Sequence, residues 1–386
     1  MVARYHIKVH EVIRMNQNLI HTPVGVRDIY GQENYKKQRM EEKIHSILMR
    51  YGYEDIQTPA FEFFEVFSRD IGTTNERELY KFFDKEGNTL VLRPDFTPSI
   101  ARCAAKYFSE EKNPIRFSYL GNTYTNTNEL QGKLKEMTEM GAELIGDDSV
   151  EADAEIIAMV VDSLLTCGLE QFQISVGDVE YFKGLCQEVG LSEETERDLR
   201  DYISIKNMFG AQEYLLNKGL EQEKVDKLIK MFDLFGGKEI LSDAAENVVN
   251  ARSLDAIGHL QNLYEKLCLY GVEKYISFDL GMLSKYHYYT GVIFKGYTYG
   301  VGDAIVKGGR YDNLLEKFGK KSAAIGYVIL IDEMLNAMQR QKISFDEKNE
   351  IETIEYTDAT YEQCLKTAMA KRAAGQKVKL CRKCEE

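Results

Sequence analysis

The sequence predicts an α+β protein in which a mainly antiparallel sheet is flanked by helices. Two long strand-like segments, Ile115 to Tyr124 and Lys135 to Ile145, enclose a polar loop and predict a long β-hairpin. A charged, almost wholly helical stretch from about 181 to 270 predicts a helical insertion. Strand patterns resume after Gly271, and a strand, a helix and a strand within 346–386 predict a short C-terminal α/β segment.

The composition is that of an ordinary globular protein with a large buried core. The chain has 386 residues, of which 44% are hydrophobic and 29% charged. Its longest apolar run, 323–331, is interrupted by Gly326 and falls short of the ~20 residues that a membrane helix needs. Residues 1–20 carry charges throughout and do not read as a signal peptide, so we treat them as an N-terminal extension and expect a cytoplasmic protein.

Charge and cysteine usage argue against several kinds of partner. The net charge of −13 gives no general attraction to phosphate backbones, which speaks against nucleic acid as a partner. Seven scattered cysteines, an odd number, suit reduced thiols better than disulfides. Cys381 and Cys384 form a CxxC without a second ligand pair, so we interpret them as part of a tail and expect no metal and no cofactor.

The N-terminal half is expected to alternate helices and strands. An apolar stripe at Met40, Ile44, Ile47 and Leu48 predicts a helix over Glu33 to Tyr51, closed by Gly52. A strand over 53–58 should end at Pro59, and the phenylalanines that follow are expected to pack in the core or at an interface: Phe61, Phe63, Phe64 and Phe67. The further elements predicted before the insertion are the strands 90–92 and 173–176 and the helices 99–108 and 153–167.

The part after the insertion is expected to return to strands. The predicted strands are 276–280, 292–299, 304–307, 324–330, 352–356 and 377–380. The predicted helices begin at Asp312 and span 332–339 and 361–374, the last of them closed by Gly375. Gly308 and Gly309 follow a strand, where a pair of glycines is typical of a tight turn.

Two blocks late in the chain carry a specific resemblance. Tyr288-Tyr289-Thr290-Gly291 and Gly308-Gly309-Arg310-Tyr311-Asp312 together resemble the core of the histidyl-tRNA synthetases. The helix and strand over 33–59 resemble motif 1 of class II aminoacyl-tRNA synthetases, which forms the dimer interface in that class, while 115–145 resembles motif 2 and 324–339 motif 3. The match covers about 23–338 and implies a class II synthetase-like core over 21–340. The remaining 346–386 is too short for a full anticodon-binding domain.

The resemblance also shows what this chain lacks. Adenylate formation needs cations aimed at the phosphates, where charge builds up. The arginines that the synthetases carry in motif 2, in the histidine-specific segment and in motif 3 align with Thr125, Ser284 and Glu333. Two unit charges ~4 Å apart at an effective dielectric near 20 interact by about 4 kcal/mol, so reversing one charge turns attraction into comparable repulsion. We therefore expect no aminoacylation.

Parts of the amino-acid pocket are retained at matching positions. The resemblance implies that Asp95 and Thr97 hold the substrate ammonium and that Glu143 binds the imidazole ring. It assigns Tyr289 and Tyr311 as pocket tyrosines, while the glutamine of the family is Glu139 here. The alternative is that these six residues are remnants that now only support the sheet.

A histidyl-like core without these arginines resembles the regulatory subunits of ATP phosphoribosyltransferase. That resemblance implies a non-catalytic protein that assembles with the catalytic subunit, is required for the first step of histidine biosynthesis, and transmits feedback by histidine. The class II resemblance also implies a two-fold dimer through the helix over 33–51 and the strand after it, with the apolar stripe at Ile44 and Leu48 buried against its own copy. Two enzyme alternatives are weighed against it. A synthetase paralogue that activates an amino acid for a non-tRNA acceptor would keep the ATP arginines, so Thr125 and Glu333 argue against it. A true histidyl-tRNA synthetase would need those arginines and an anticodon domain.

Overall fold

The computed structural model describes residues 19–68, 74–127, 134–283, 288–343 and 351–383. They form two compact units, one from the described residues between 19 and 28 and between 37 and 343, and the other from 29–36 and 351–383. The expected boundaries at residues 20, 340 and 346 stay predictions. No helix in the described ranges is long and apolar enough to cross a membrane.

The first helix, α1, spans Gly31–Arg50, close to the predicted bounds, and Gly52 follows it with φ +80°. Its stripe of Met40, Ile44, Ile47 and Leu48 is buried within this single chain, with Ile44 and Leu48 fully inaccessible. The stripe therefore belongs to the chain's own core. The expectation that it is buried against a second copy is wrong at these two residues, because no surface of theirs is left to bury.

The remaining elements of the first half surround the predicted hairpin. The strands are β1 (Glu54–Asp55), β2 (Phe61–Phe63), β3 (Lys81–Phe83), β4 (Thr89–Leu92), β5 (Ile115–Tyr124), β6 (Glu136–Ile145) and β7 (Phe172–Asp178). The helices are α2 (Thr97–Tyr107) and α3 (Val150–Thr166). Pro98 lies in the first turn of α2, where its missing N–H costs no intrahelical bond. The hairpin of β5 and β6 is confirmed within one residue.

The insertion is helical, with one short strand. It consists of α4 (Val179–Val189), α5 (Glu193–Ser204), α6 (Met208–Asn217), α7 (Gln222–Ile229), β8 (Phe235–Gly236), α8 (Ile240–Glu246) and α9 (Ala251–Tyr270). Side chains of Asp178, Ser192, Asn207 and Asn250 cap four of these helices by accepting backbone N–H groups. The two-residue strand β8, which the sequence did not predict, pairs with β9 at the edge of the main sheet.

The last part of the chain completes the sheet and forms the second unit. Its elements are β9 (Ile276–Asp279), β10 (Val292–Thr298), β11 (Val306–Arg310), β12 (Ala324–Leu330), α10 (Ile331–Arg340), β13 (Glu352–Tyr356), α11 (Tyr361–Ala373) and β14 (Val378–Arg382). In the second unit β13 and β14 pair in parallel, and Gly375 follows α11 with φ +80°. Cys381 lies exposed on β14, whereas Cys384 falls outside the described residues.

The described strands form one large sheet and two small ones. The large sheet has the order β1-β5-β6-β12-β11-β10-β7-β9-β8, in which only β1 with β5 and β7 with β9 run parallel. A three-stranded sheet has the order β2-β4-β3. This mainly antiparallel sheet with flanking helices confirms the predicted fold class.

Two local predictions are wrong, and a third holds only in part. Gly308 and Gly309 do not form a turn but lie inside β11, paired with both β10 and β12. The helix expected from Asp312 is only a short 3-10 turn at Leu315–Phe318. Of the phenylalanine cluster, Phe67 is buried, but Phe61 and Phe63 lie on β2 and are about half exposed, so they are not core residues in this chain.

Candidate functional site

The candidate site lies on one face of the large sheet. Glu139 and Glu143 are four residues apart on β6 and point to the same side, because side chains alternate along a strand. We call this side the site face. Helix α3 packs on the other face, where Tyr327 lies near its residues Asp162 and Ser163. One side of the sheet therefore forms core with helices, and the other presents the two glutamates.

Glu143 is held in place from two directions. Thr97 donates its hydroxyl hydrogen to Oε1 at 2.8 Å, and the Tyr311 hydroxyl donates to Oε2 at 2.5 Å. Opposite Glu143 on β12 stands Gly326, where a Cβ would come within 1.6 Å of Oε2. The structure thus brings together Thr97, Glu143 and Tyr311 as predicted, and it uses a glycine to make room for the carboxylate.

Burial makes both glutamates weak acids. Glu143 is 1% exposed, and burial raises its pKa to about 8 against the opposing hydrogen bonds from Tyr311 and Thr97. Burial likewise raises the pKa of Glu139 to about 8, and the negative charge of Asp95 adds to the shift. At neutral pH both side chains are therefore largely protonated. A neutral carboxyl can donate a hydrogen to a ring nitrogen as well as accept one.

Aromatic rings enclose the Glu143 carboxyl. The rings of Tyr288 and Tyr289 lie 4.5 Å apart, and Tyr288 meets Tyr311 edge to face at 6.0 Å. Tyr289 packs onto β11 at Gly309, where a Cβ would come within 2.7 Å of the ring. Burial raises the pKa of the Tyr289 and Tyr311 hydroxyls, so both stay protonated. The second glycine of the pair is thus explained by the close approach of Tyr289.

Asp95 has a structural task at the start of α2. Its Oδ1 accepts the backbone N–H of Thr97 at 3.0 Å, which satisfies a donor of the first helical turn. That bond positions Thr97 toward Glu143. Asp95 also lies close enough to Glu139 and Glu143 to raise the pKa of both. The six predicted pocket residues therefore occur around one part of the site face.

Two of the three positions that align with synthetase arginines lie in the described residues. Thr125 directly follows β5, and its N–H donates a hydrogen bond to the carbonyl of Lys135 at 2.8 Å. Glu333 lies in the first turn of α10, where the helix dipole favours an anion. Ser284 falls outside the described residues.

Two buried cations that the sequence did not single out turn out to be structural. Lys37 on α1 bonds Asp332 at 3.2 Å, and Asp332 accepts the N–H of Thr138 at 2.7 Å, which ties α10 to β6. Arg93 donates to the carbonyls of Asn122 and Thr58 at 2.8 and 2.9 Å. In the sequence, Arg93 stands out only by its position between strand β4 and Pro94. Only the tertiary fold shows which carbonyls accept its hydrogen bonds.

An ion-pair network lies on the opposite face of β11. Arg310 donates two hydrogen bonds to Asp153 Oδ1, at 2.9 and 2.5 Å, and His259 of α9 bonds Oδ2 of the same carboxylate at 2.8 Å. Asp153 is fully buried. The hydrogen bond to Asp153 raises the pKa of His259. This network joins the insertion, α3 and β11.

Comparison with known proteins agrees with this geometry. The histidyl-tRNA synthetase family profile matches residues 25–334. A solved structure from Bacillus halodurans C, described as an ATP phosphoribosyltransferase regulatory subunit/histidyl-tRNA synthetase, superposes with a TM-score of 0.86 at 31% identity and covers 94% of this chain and 93% of that one. Fold and site thus define a histidyl-tRNA synthetase-like protein of class II.

Curated relatives narrow the assignment. A protein of Acetivibrio thermocellus is 41% identical over 335 residues, which cover 87% of this chain and 80% of the relative. A protein of Ruminiclostridium cellulolyticum is 38% identical over 94% of this chain and 87% of its own length. Both are named ATP phosphoribosyltransferase regulatory subunit. The chain belongs to this family of histidyl-tRNA synthetase-like regulatory subunits.

Proposed function

We propose that this chain is the non-catalytic regulatory subunit of an ATP phosphoribosyltransferase. It assembles with the catalytic subunit, is required for the first step of histidine biosynthesis, and transmits feedback by histidine. The observation that carries the proposal is the hydrogen-bonded group of Thr97, Glu143 and Tyr311, which we propose binds an imidazole ring, on a scaffold that has Thr125 and Glu333 where the synthetases have arginines. Such a site can hold an imidazole without aligning a triphosphate.

Two measurements test the proposed partner: the phosphoribosyltransferase rate of the mixture and the mass of the complex. Adding the catalytic subunit should give a larger complex whose phosphoribosyltransferase rate greatly exceeds that of either protein alone. A subunit without its own chemistry can only act by binding the active conformation of its partner more tightly than the inactive one. Mass measurement of the co-expressed mixture gives the stoichiometry. An unchanged rate at saturating amounts of this chain would reject the proposal.

The competing function is amino-acid activation for a non-tRNA acceptor. That reaction needs positive charge at the α- and γ-phosphates, which Thr125 and Glu333 do not supply. We therefore expect no histidine-dependent exchange of labelled pyrophosphate into ATP by the purified chain. Exchange above that of a heat-treated sample would favour the enzyme.

Self-association is the second part of the proposal. Phe61, Phe63 and Phe82 share one face of the small β2-β4-β3 sheet, and Phe61 meets Phe82 edge to face at 5.8 Å. They are 51%, 54% and 37% exposed. A cluster of exposed aromatic side chains is typical of protein interfaces. We propose this aromatic face, rather than Ile44 and Leu48, as the surface through which two copies pair.

A further inference from the structure

Two lysines stand side by side on the site face. Lys295 of β10 and Lys307 of β11 are directly paired across the sheet, and the same row continues to Val328 of β12 and Gly141 of β6. Gly141 lies between Glu139 and Glu143 on β6, so all four charged or ionisable side chains point to the same side. Both lysines are half-buried.

The two ammonium groups of Lys295 and Lys307 repel each other at this distance. Like charges directly opposite each other in a sheet repel, and here the chain also removes them partly from water. In the described part of the chain, Lys295 Nζ makes no hydrogen bond or ion pair. Burial lowers the pKa of Lys295, and the neighbouring Lys307 lowers it further. An anion beside these two ammonium groups would therefore stabilise the fold.

The nearby carboxylates Asp279 and Asp303 do not neutralise both lysines. Asp279 is occupied by Lys206, whose Nζ lies 3.0 Å from both Oδ1 and Oδ2. Asp303 reaches Lys307 only at 4.0 Å and is more than half exposed. Among the described residues, Lys206, Lys295 and Lys307 therefore face the carboxylates of Asp279 and Asp303, since the nearby Glu139 carboxyl is largely protonated at neutral pH. That balance suits a monoanion such as a carboxylate better than a phosphate group of higher charge.

The spacing fits a small zwitterion. Glu143 pairs with Gly326, and Gly326 pairs with Gly309 on β11, where the Tyr289 ring covers the strand, so a ligand held at Glu143 would extend along this ring toward the lysines. Strands lie about 4.8 Å apart, so Glu143 and Gly309 are roughly 10 Å apart at their Cα atoms. Lys307 is near enough to oppose the rise in the pKa of Glu139. A ligand held at Glu143 can thus reach the lysines with its other end.

We infer that Lys307 and Lys295 bind the carboxylate of the amino acid whose ring lies at Glu143 and whose ammonium lies at Asp95. This inference rests on the proposed histidine-sensing function. The lysines take over the task of the arginines that Thr125 and Ser284 replace, but they approach from β10 and β11 rather than from the hairpin. The sequence signal was a lysine within each of two otherwise apolar or glycine-rich strands, VIFKGYT and VKGGR.

The test compares histidine with histidinol, which has a hydroxymethyl group in place of the carboxylate. Titration calorimetry on the isolated chain should show wild type preferring histidine at least about tenfold. In Lys307→Met and in Lys295→Met that preference should fall to about twofold or less, with histidinol affinity little changed. Lys317→Met, at an exposed lysine on the 3-10 turn after β11, is the matched control and should keep the full preference.

Thermal melting checks that the variants fold. Removing one of two repelling charges should leave Lys295→Met at least as stable as wild type. An unchanged preference for histidine in folded lysine variants would overturn the inference, and so would a wild type that binds neither compound. Inorganic phosphate that binds wild type but not Lys307→Met would assign the pair to phosphate instead. Activation of the catalytic subunit is measured separately, so a chain that activates but keeps its preference rejects only this inference.

Discussion

Tyr311, directly after β11, and Glu143 of β6 share a 2.5 Å hydrogen bond across the intervening strand β12. Both are almost inaccessible, at 2% and 1% exposure. The tyrosine keeps its proton and donates it, so Glu143 has one oxygen fixed by Tyr311 and the other by Thr97. The carboxyl therefore has a single orientation before any ligand arrives, and a ring that binds it loses little entropy in ordering the protein.

Glu143→Gln should weaken feedback by histidine. The amide keeps the volume and can still accept from Tyr311, but it cannot become an anion that stabilises an imidazolium ring. We expect the histidine concentration for half-inhibition of the assembled complex to rise about tenfold or more, with uninhibited rate and assembly unchanged. Glu136→Gln, on the same strand but the opposite face, is the control. Superimposed inhibition curves would place the sensor elsewhere.

Glu139→Gln should stabilise the chain at alkaline pH. The pKa of Glu139 rises from its ordinary value near 4.5 to about 8 in the folded chain, so the folded state binds this proton more tightly than the unfolded state. Wild-type stability therefore falls as pH rises between these two values, and the loss is complete above the folded pKa. At pH 8.5 the variant should be more stable by on the order of 1–2 kcal/mol, and at pH 4 the difference should vanish.

Urea denaturation at both pH values measures this difference. The exposed Glu110→Gln is the control and should give the same small effect at each pH. A Glu139→Gln variant that is less stable than wild type at pH 8.5 would mean that the carboxylate is ionised and paired in the native chain.

Gly326→Ala should destabilise the site. Its Cβ would lie 1.6 Å from Glu143 Oε2 and 2.8 Å from the carbonyl of Ala142, so the Glu143 side chain must leave its position. We expect a loss on the order of 2–3 kcal/mol in the free energy of unfolding. Combining it with Glu143→Ala should cost less than the sum of the two single changes, because the clash with the Glu143 side chain is then gone and only the approach to the Ala142 carbonyl remains. Gly302→Ala has open space and should be nearly neutral.

The dimer prediction follows from the aromatic face. Phe61→Asp with Phe63→Asp should lower the mass seen by light scattering toward that of one chain, since two charges then lie in the proposed interface. Phe83→Asp is the control, because Phe83 is 73% exposed but points to the other side of the small sheet. Ile44→Asp should instead unfold the chain. A double Phe variant of unchanged mass would show that the copies pair through another surface.

Periodicity predicted most elements because each depends on local pattern. The strand β5 and the buried stripe of α1 lie where the sequence places them. The period of an apolar stripe does not show what packs against it. The sequence therefore assigned Ile44 to an interface, although Ile44 belongs to the core. The glycines at 308 and 309 had a local explanation as a turn, while their actual cause is long-range: the rings of Phe294 and Tyr289 pack where side chains would stand.

The candidate site also has one part that could be predicted from the sequence and one part that only the fold shows. Thr97, Glu143 and Tyr311 were predicted through a resemblance, and the structure brings them together. The Lys295 and Lys307 pair required the register between β10 and β11, which no single strand reveals. Buried cations such as Arg93 likewise needed the carbonyls of distant residues to explain them.

The carboxylate of Asp153 gives the molecule a mechanical linkage. One oxygen holds Arg310, the residue before Tyr311, and the other holds His259 in the insertion. A rotation of α9 against α3 would therefore act on the end of β11 next to Tyr311, and through it on the Thr97-Glu143-Tyr311 group, from the opposite face of the sheet. Since the pKa of His259 is raised in the folded chain, the linkage is tightest below the ordinary pKa of histidine and loosens as pH climbs through the raised value.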